Sequence, residues 1–227
     1  MKKIIATFSA IILVTLLFGC AKDAPYEKNT YTATTIVTNI DLGEIHSDIE
    51  IRQTTDMLCK VDYYTNKYDS YEFTINNSTL YISAVCEHNV FKTQINKHEK
   101  TVIYLPLAFF GNIKIDANAG NITLDEKISA RDLNISTNAG NVNVRGSYDA
   151  VSAYVNAGNI YFGGLKSGNI SASTNVGNIT GTINGNKDDY SITATTVVGE
   201  SNLTDSTGKK YTLTLSTDVG NITVSFI

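Results

Sequence analysis

Cys86, Glu87, His88, His98 and Glu99 place metal-capable side chains close together in the chain. A dedicated metal site uses fixed short spacings such as Cys-x-x-Cys or His-x-x-x-His. This cluster has neither, so it reads as a solvated loop and no metal or cofactor is expected. Hydrolytic chemistry on a polysaccharide would need paired carboxylates, or acidic ligands with a basic partner. Outward acids are isolated: Asp116 and Asp218, for example, lie five repeats apart in chain order. No catalytic residue is assigned and the chain reads as a non-enzyme. Tyr63, Tyr64, Tyr68 and Tyr71 form a dense tyrosine stretch. Tyrosine combines apolar area with a hydroxyl, which suits sugars or protein partners. These four are the candidate contact surface; ordinary hairpin composition is the alternative.

The elements that would carry such groups are set by a repeat. Asn118-Ala119-Gly120-Asn121 returns as Asn138-Ala139-Gly140-Asn141, Asn156-Ala157-Gly158-Asn159 and Asn175-Val176-Gly177-Asn178. A degenerate copy is centred on Gly199 and a last one on Gly220, so successive glycines lie 20, 18, 19, 22 and 21 residues apart. A period near twenty with strand-like flanks implies stacked coils. The fold class is all-β, a single-domain β-solenoid resembling a parallel β-helix, with about 20 residues per coil. Before each glycine, apolar residues alternate with polar ones, as in Ile113, Ile115, Ala117 and Ala119 against Lys114, Asp116 and Asn118. That period places one set inward and the other in water. The residue before each glycine (Ala119, Ala139, Ala157, Val176, Val198, Val219) joins the inward set, and threonine supplies most of the polar exceptions within that set. After the glycine the parity changes, which requires a corner; Gly120, Gly140, Gly158, Gly177, Gly199 and Gly220 are expected there with positive φ. The flanking asparagines would stack coil on coil as an amide ladder rather than hold calcium. The other corner varies in length, at 125–129, 145–150, 163–167 and 185–190, and is where specific contacts are expected.

Address comes from the N-terminus. Lys2 and Lys3 precede an apolar run from Ile4 to Phe18, closed by Gly19-Cys20. This has the layout of a signal peptide and is too short for a comfortable membrane span. Leu17-Phe18-Gly19-Cys20 resembles a bacterial lipobox, with Cys20 as the lipidated first mature residue; a plain secretory signal is the alternative. Residues 1–19 are then a lipoprotein signal peptide, 20–30 a polar tether, and 31–227 the solenoid, less regular over 31–110 and regular over 111–227. The formal charge is −4, and removing Lys2 and Lys3 makes the mature chain more acidic. Nucleic acid is therefore not an expected partner. Membrane attachment would come through the lipid on Cys20. An exported compartment permits a disulfide between Cys59 and Cys86, with two unbridged cysteines as the alternative.

In the front half, Asp41-Leu42-Gly43-Glu44-Ile45 echoes Asp218-Val219-Gly220-Asn221-Ile222. Asn76-Asn77-Ser78 between two apolar-alternating runs reads as a hairpin. The strand ending Leu105-Pro106, then Ile113-Lys-Ile-Asp-Ala, then serial Gly-Asn-Ile/Val units, resembles the bacterial "putative adhesin" family over roughly residues 31–227. That resemblance implies a β-solenoid of unknown function on exported, lipid-anchored or membrane-linked proteins. It supplies no catalytic motif. The reading is a lipid-anchored envelope binding module whose partner is an envelope protein, peptide or glycan. An envelope-stress sensor or scaffold is the alternative, and a carbohydrate-active enzyme a third.

Overall fold

The computed structural model describes residues 25–87 and 100–227. The proposed signal peptide, Cys20, His88, His98 and Glu99 lie outside them. Among the described residues the structure is built from strands, with a 3-10 turn at Lys187–Asp189 and no α-helix. The front part carries β1 (Glu27–Thr32), β2 (Asn39–Glu44), β3 (Asp48–Thr54), β4 (Lys60–Thr65), β5 (Asp69–Asn76), β6 (Thr79–Cys86) and β7 (Lys100–Pro106). The repeated part carries β8 (Ile113–Ala119), β9 (Ile122–Leu124), β10 (Ser129–Ala139), β11 (Val142–Val144), β12 (Ser147–Ala157), β13 (Ile160–Val176), β14 (Ile179–Ile183), β15 (Tyr190–Val198), β16 (Tyr211–Val219) and β17 (Ile222–Phe226).

The strands stack on two faces, in parallel except for β1–β4, β4–β7 and β5–β6, an arrangement that fits a solenoid. The long face runs β5-β6-β2-β8-β10-β12-β13-β16-β15, and the short face runs β1-β4-β7-β3-β9-β11-β13-β14-β17. One turn of chain across both faces is a rung. β13 belongs to both faces: its first half pairs with β11 and β14, its second with β12 and β16. Residues 163–167, expected as a loop at the variable corner, therefore lie inside a strand. The sheet is open. Ile113, Ile115, Leu133, Ile135, Leu213 and Leu215 of the long face and Ile122, Val142, Ile160 and Phe162 of the short one are buried in a single apolar cluster. Each such side chain contributes about 1.5–3 kcal/mol, so the stack rather than any single rung carries stability.

Spatial order departs from chain order at both ends. Ile40 of β2 pairs with Ile113 of β8, so the Gly43 rung lies against the first regular repeat, and β6 and β7 lie outside it. At the other end β16 pairs with both β13 and β15. The degenerate Gly199 rung is thus terminal, not fifth in line as sequential stacking would have it. The physical reason is composition. β16 and β17 bury Leu213, Leu215, Ile222 and Val224, whereas β15 buries only Tyr190 and Ile192. The strand with the poorer apolar set loses least at the end of the stack.

Three other expectations change. The tether shortens: Glu27–Thr30 belong to β1, which pairs antiparallel with β4 at the edge of the short face. The residue before each corner glycine is not inward: Val176, Val198 and Val219 are 55%, 61% and 48% exposed. Burial ends at the third residue before the glycine, except in the Gly199 rung, where Thr196 is only half-buried, and both following residues are exposed or half-buried. Asp116 and Asp218 are one rung closer than chain order implies, separated along β8-β10-β12-β13-β16. The expected hairpin is present between β5 and β6, with Asn77 and Ser78 at φ 47° and 58°. Two consecutive positive φ values are those of a type I′ turn.

Candidate functional site

The corner is where sequence regularity is highest, and its polar groups are spent internally. The six corner glycines have φ between 119° and 155°. A Cβ on Gly140 would lie 2.0 Å from the Gly120 carbonyl oxygen, and one on Gly220 would lie 1.9 Å from that of Gly177. Glycine is thus required twice, by its own φ and by the rung beneath. Asn141 donates from its backbone and side-chain nitrogens to Asn121 Oδ1, at 3.0 and 3.2 Å. Asn159 does the same to Asn141, and Asn178 to Asn159. The backbone N–H of Asn221 continues onto Asn178 and that of Glu200 ends the series on Asn221. The inward threonines also act here. Thr174, Thr217 and Thr196 hydroxyls donate to the carbonyls of Gly158, Gly177 and Gly220 at 2.9, 2.9 and 3.0 Å. The corner's asparagines and threonines thus bond to neighbouring rungs, so the corner is scaffold.

A second polar cluster lies in the front part. Glu44 is buried; its Oε1 accepts the Ile45 N–H at 2.8 Å and its Oε2 accepts Tyr71 OH at 2.7 Å and Thr101 Oγ1 at 3.0 Å. Burial, then the neighbouring Glu44 charge, push the Tyr71 phenol well above its usual range. Tyr71 therefore stays protonated and acts as a hydrogen-bond donor to Glu44. Nearby, Tyr26 OH donates to Asp69 Oδ2, with His46 Nε2 3.7 Å from the same oxygen. Sequence reasoning missed this cluster because Glu44, Tyr71 and Thr101 are far apart in the chain and meet only across β2, β5 and β7.

The four tyrosines expected as a contact surface are all half-buried. Tyr63 and Tyr71 sit 5.1 Å apart, ring to ring, and Phe73 stacks on Tyr31 at 4.2 Å. Tyr31, Tyr63, Tyr71 and Phe73 are partly buried and pack against the core. Tyr64 and Tyr68 are half-buried, so none of the four is fully presented to solvent. Cys59 and Cys86 are not bridged to one another. Cys59 is buried before β4, and burial pushes its thiol up to about 12, which keeps it protonated and unreactive at neutral pH.

The outer surface of the long face is open to a ligand. Its outward positions carry hydroxyls and amides in columns: Asn134, Ser152, Ser171 and Thr214 stand in register, and Asp132, Ala150, Asn169 and Thr212 form the next column. Neighbouring strands lie about 4.8 Å apart. Where small Ala150 falls between Asp132 and Asn169, and Ser152 between Asn134 and Ser171, a shallow cavity of about 280 Å³ opens, lined by these two columns. Thr212 Oγ1 donates to Asn169 Oδ1 at 3.0 Å, which orients the Asn169 amide. Two residues along β12, Tyr154 is 39% exposed and its hydroxyl accepts from Asn175 Nδ2 at 3.1 Å. An oriented aromatic ring thus stands beside a cleft of hydroxyl and amide groups, near where the long strands leave the variable corner. In the sequence these residues are simply the wet side of an alternating strand. Among the described residues no group of three His, Cys, Asp or Glu side chains is gathered for a metal.

Fold and face together define a repeat protein of stacked parallel strands with a polar, gridded exterior. Residues 37–226 match the Toastrack DUF4097 model, and the chain belongs to that family, a domain of unknown function. The likeness drawn from the Gly-Asn-Ile units thus holds at the level of family. A crystal structure described as a putative cell adhesion protein from Clostridium sporogenes is similar, with TM-score 0.57, 15% identity, and coverage of 89% of this chain and 100% of that one. A "putative adhesin" from Bacteroides fragilis is similar with TM-score 0.52, 18% identity, and coverage of 88% and 97%. At such identities the likeness is one of fold. The comparison with curated proteins found no match.

Proposed function

We propose that the chain is an exported, lipid-anchored solenoid that acts without catalysis as an envelope or cell-surface binding module, with a glycan as the ligand of its long face. The observation that carries this reading is the cleft lined by Asp132, Asn134, Asn169 and Thr212 beside the exposed ring of Tyr154. Sugars are bound by stacking on an aromatic face while amides and hydroxyls meet their ring hydroxyls. A glycosidase would place a second carboxylate across such a cleft, and Asp132 is the one acid among its lining residues. The adhesin names of the similar structures and the lipobox-like Leu17–Cys20 support a surface address. The test is a glycan array followed by calorimetry on the ligand found. Tyr154→Ala and Asn134→Ala are each expected to weaken binding by about 1–3 kcal/mol with an unchanged melting temperature. Full binding by both variants would reject the cleft. In parallel, metabolic lipid labelling should be lost in Cys20→Ala; retained labelling would reject the anchor.

A further inference from the structure

We infer that the terminal rung, β15 with its Gly199 corner, is a docking edge for an extended segment of a partner polypeptide, added in parallel as the next rung of the stack. Every interior corner is tied to its successor by backbone bonds of the same pattern. The glycine N–H donates to the carbonyl of the residue before the next glycine, as Gly158 to Val176, Gly177 to Val219 and Gly220 to Val198, each at 2.9 Å. The second residue after the glycine donates likewise, as Ile179 to Asn221 and Ile222 to Glu200. The asparagine Oδ1 accepts a backbone N–H from the next rung, and at Gly158, Gly177 and Gly220 the glycine carbonyl also accepts a threonine hydroxyl from it.

At the Gly199 rung the same groups have no successor. Among the described residues nothing accepts from the N–H groups of Gly199 and Ser201, and nothing donates to the Gly199 carbonyl. The chain covers part of this edge itself. Ile192 and Ser206 exchange backbone bonds at 2.9 Å, and Ala194 N–H donates to Asp205 Oδ1 at 3.0 Å. The cover stops there. By the alternation of a strand, Thr196 is the next residue facing the same side. The open stretch runs from Thr196 to Ser201 and carries Val197 and Val198, 78% and 61% exposed.

The unspent groups also specify the occupant. Strand addition takes affinity from main-chain bonds and selectivity from the side-chain positions. Each corner glycine sits with its would-be Cβ about 2 Å from the carbonyl of the rung beneath it, as Gly140 does on Gly120. The residue placed over Gly199 must therefore be glycine, preceded by a small apolar residue beside Val198. Glu200 stands where the interior corners have a neutral amide acceptor. A carboxylate there favours a donor, either a backbone N–H or a basic side chain, in the residue after that glycine. The occupant is thus an extended peptide of the form Thr-x-Ala/Val-Gly followed by a donor. A second copy of this chain cannot supply it from its opposite end, where β1, β4, β5 and β6 cover the first rungs. The inference stands apart from the glycan reading, since the cleft does not include β15.

The probe is a labelled peptide with the sequence of residues 211–222, titrated into the full-length chain and followed by fluorescence anisotropy. Saturable binding is expected, weakened roughly tenfold or more when valine replaces the peptide's glycine. The Val198→Lys and Glu200→Ala variants should weaken it comparably while keeping the wild-type melting temperature, and Tyr154→Ala should leave it unchanged. No binding, or equal binding of the glycine and valine peptides, would overturn the inference. Concentration-dependent dimerisation abolished by Val198→Lys would also overturn it, in favour of self-association.

Discussion

Gly140 shows how much a single residue carries in a stacked fold. Its φ of 137° excludes most side chains, and its missing Cβ leaves room for the Gly120 carbonyl 2.0 Å away. Gly140→Val should therefore cost about 3 kcal/mol, at the upper end for a strained backbone position, read as a shift in the urea midpoint. Thr217→Val is the complementary probe. It keeps shape while removing the hydroxyl bond to the buried corner carbonyl of Gly177. A loss of about 1 kcal/mol is expected; no loss would mean that the threonine column is only filler. Both kinds of residue stand out in the sequence, the glycine by its spacing and the threonine as a polar residue at an inward position. The threonine's role does not, because its acceptor belongs to another rung.

At the scale of the element, the edges matter most. β1 is held to β4 partly through Asp62, where Lys28 Nζ is 2.8 Å from Oδ2 and Thr30 Oγ1 donates to Oδ1 at 2.7 Å. Burial pushes the Asp62 carboxyl up, but the Lys28 and Thr30 hydrogen bonds and the lysine charges outweigh it and hold it below its ordinary value. A carboxyl lowered in the folded state stabilises above its unfolded value of about 3.9 and loses that contribution as pH falls through the folded one. Acidification below about pH 4 should loosen β1 before the rest of the stack. Limited proteolysis near Glu27–Thr32 at pH 3 against pH 7 would show it, and Asp62→Asn should loosen β1 already at pH 7. Equal protection of β1 at both pH values would count against this contact. Edge behaviour was poorly legible in the sequence. Residues 27–30 are polar and read as tether, because an edge strand paired on one side needs few apolar residues. The outward valines before the corner glycines were misread for a related reason: strict alternation gives no sign of the extra residue at a bend.

For the whole molecule, the order of rungs is the main structural fact beyond the repeat. β15 ends the long face although β16 follows it in the chain, and β2 lies inside β6 although it precedes it. Local opening should follow spatial rather than chain position. Hydrogen exchange is expected to be slowest in β10, β12 and β13 and fast along Thr195–Gly199, with β16 better protected than β15. Matching protection of β15 and β16 would contradict the terminal placement.

The sequence alone determined the all-β class, the glycine corners, the amide ladder and the family resemblance. All of these follow from periodicities that a single chain displays locally. Only the tertiary structure decided which rung is last, that Tyr63 and Tyr71 pack against the core, that Glu44, Tyr71 and Thr101 share one buried network, and that a cleft lined by Ala150 and Ser152 opens beside Tyr154. The physical reason is the same in each case. These features depend on contacts between rungs, and a repeat specifies the shape of each rung far more strongly than it specifies its neighbour.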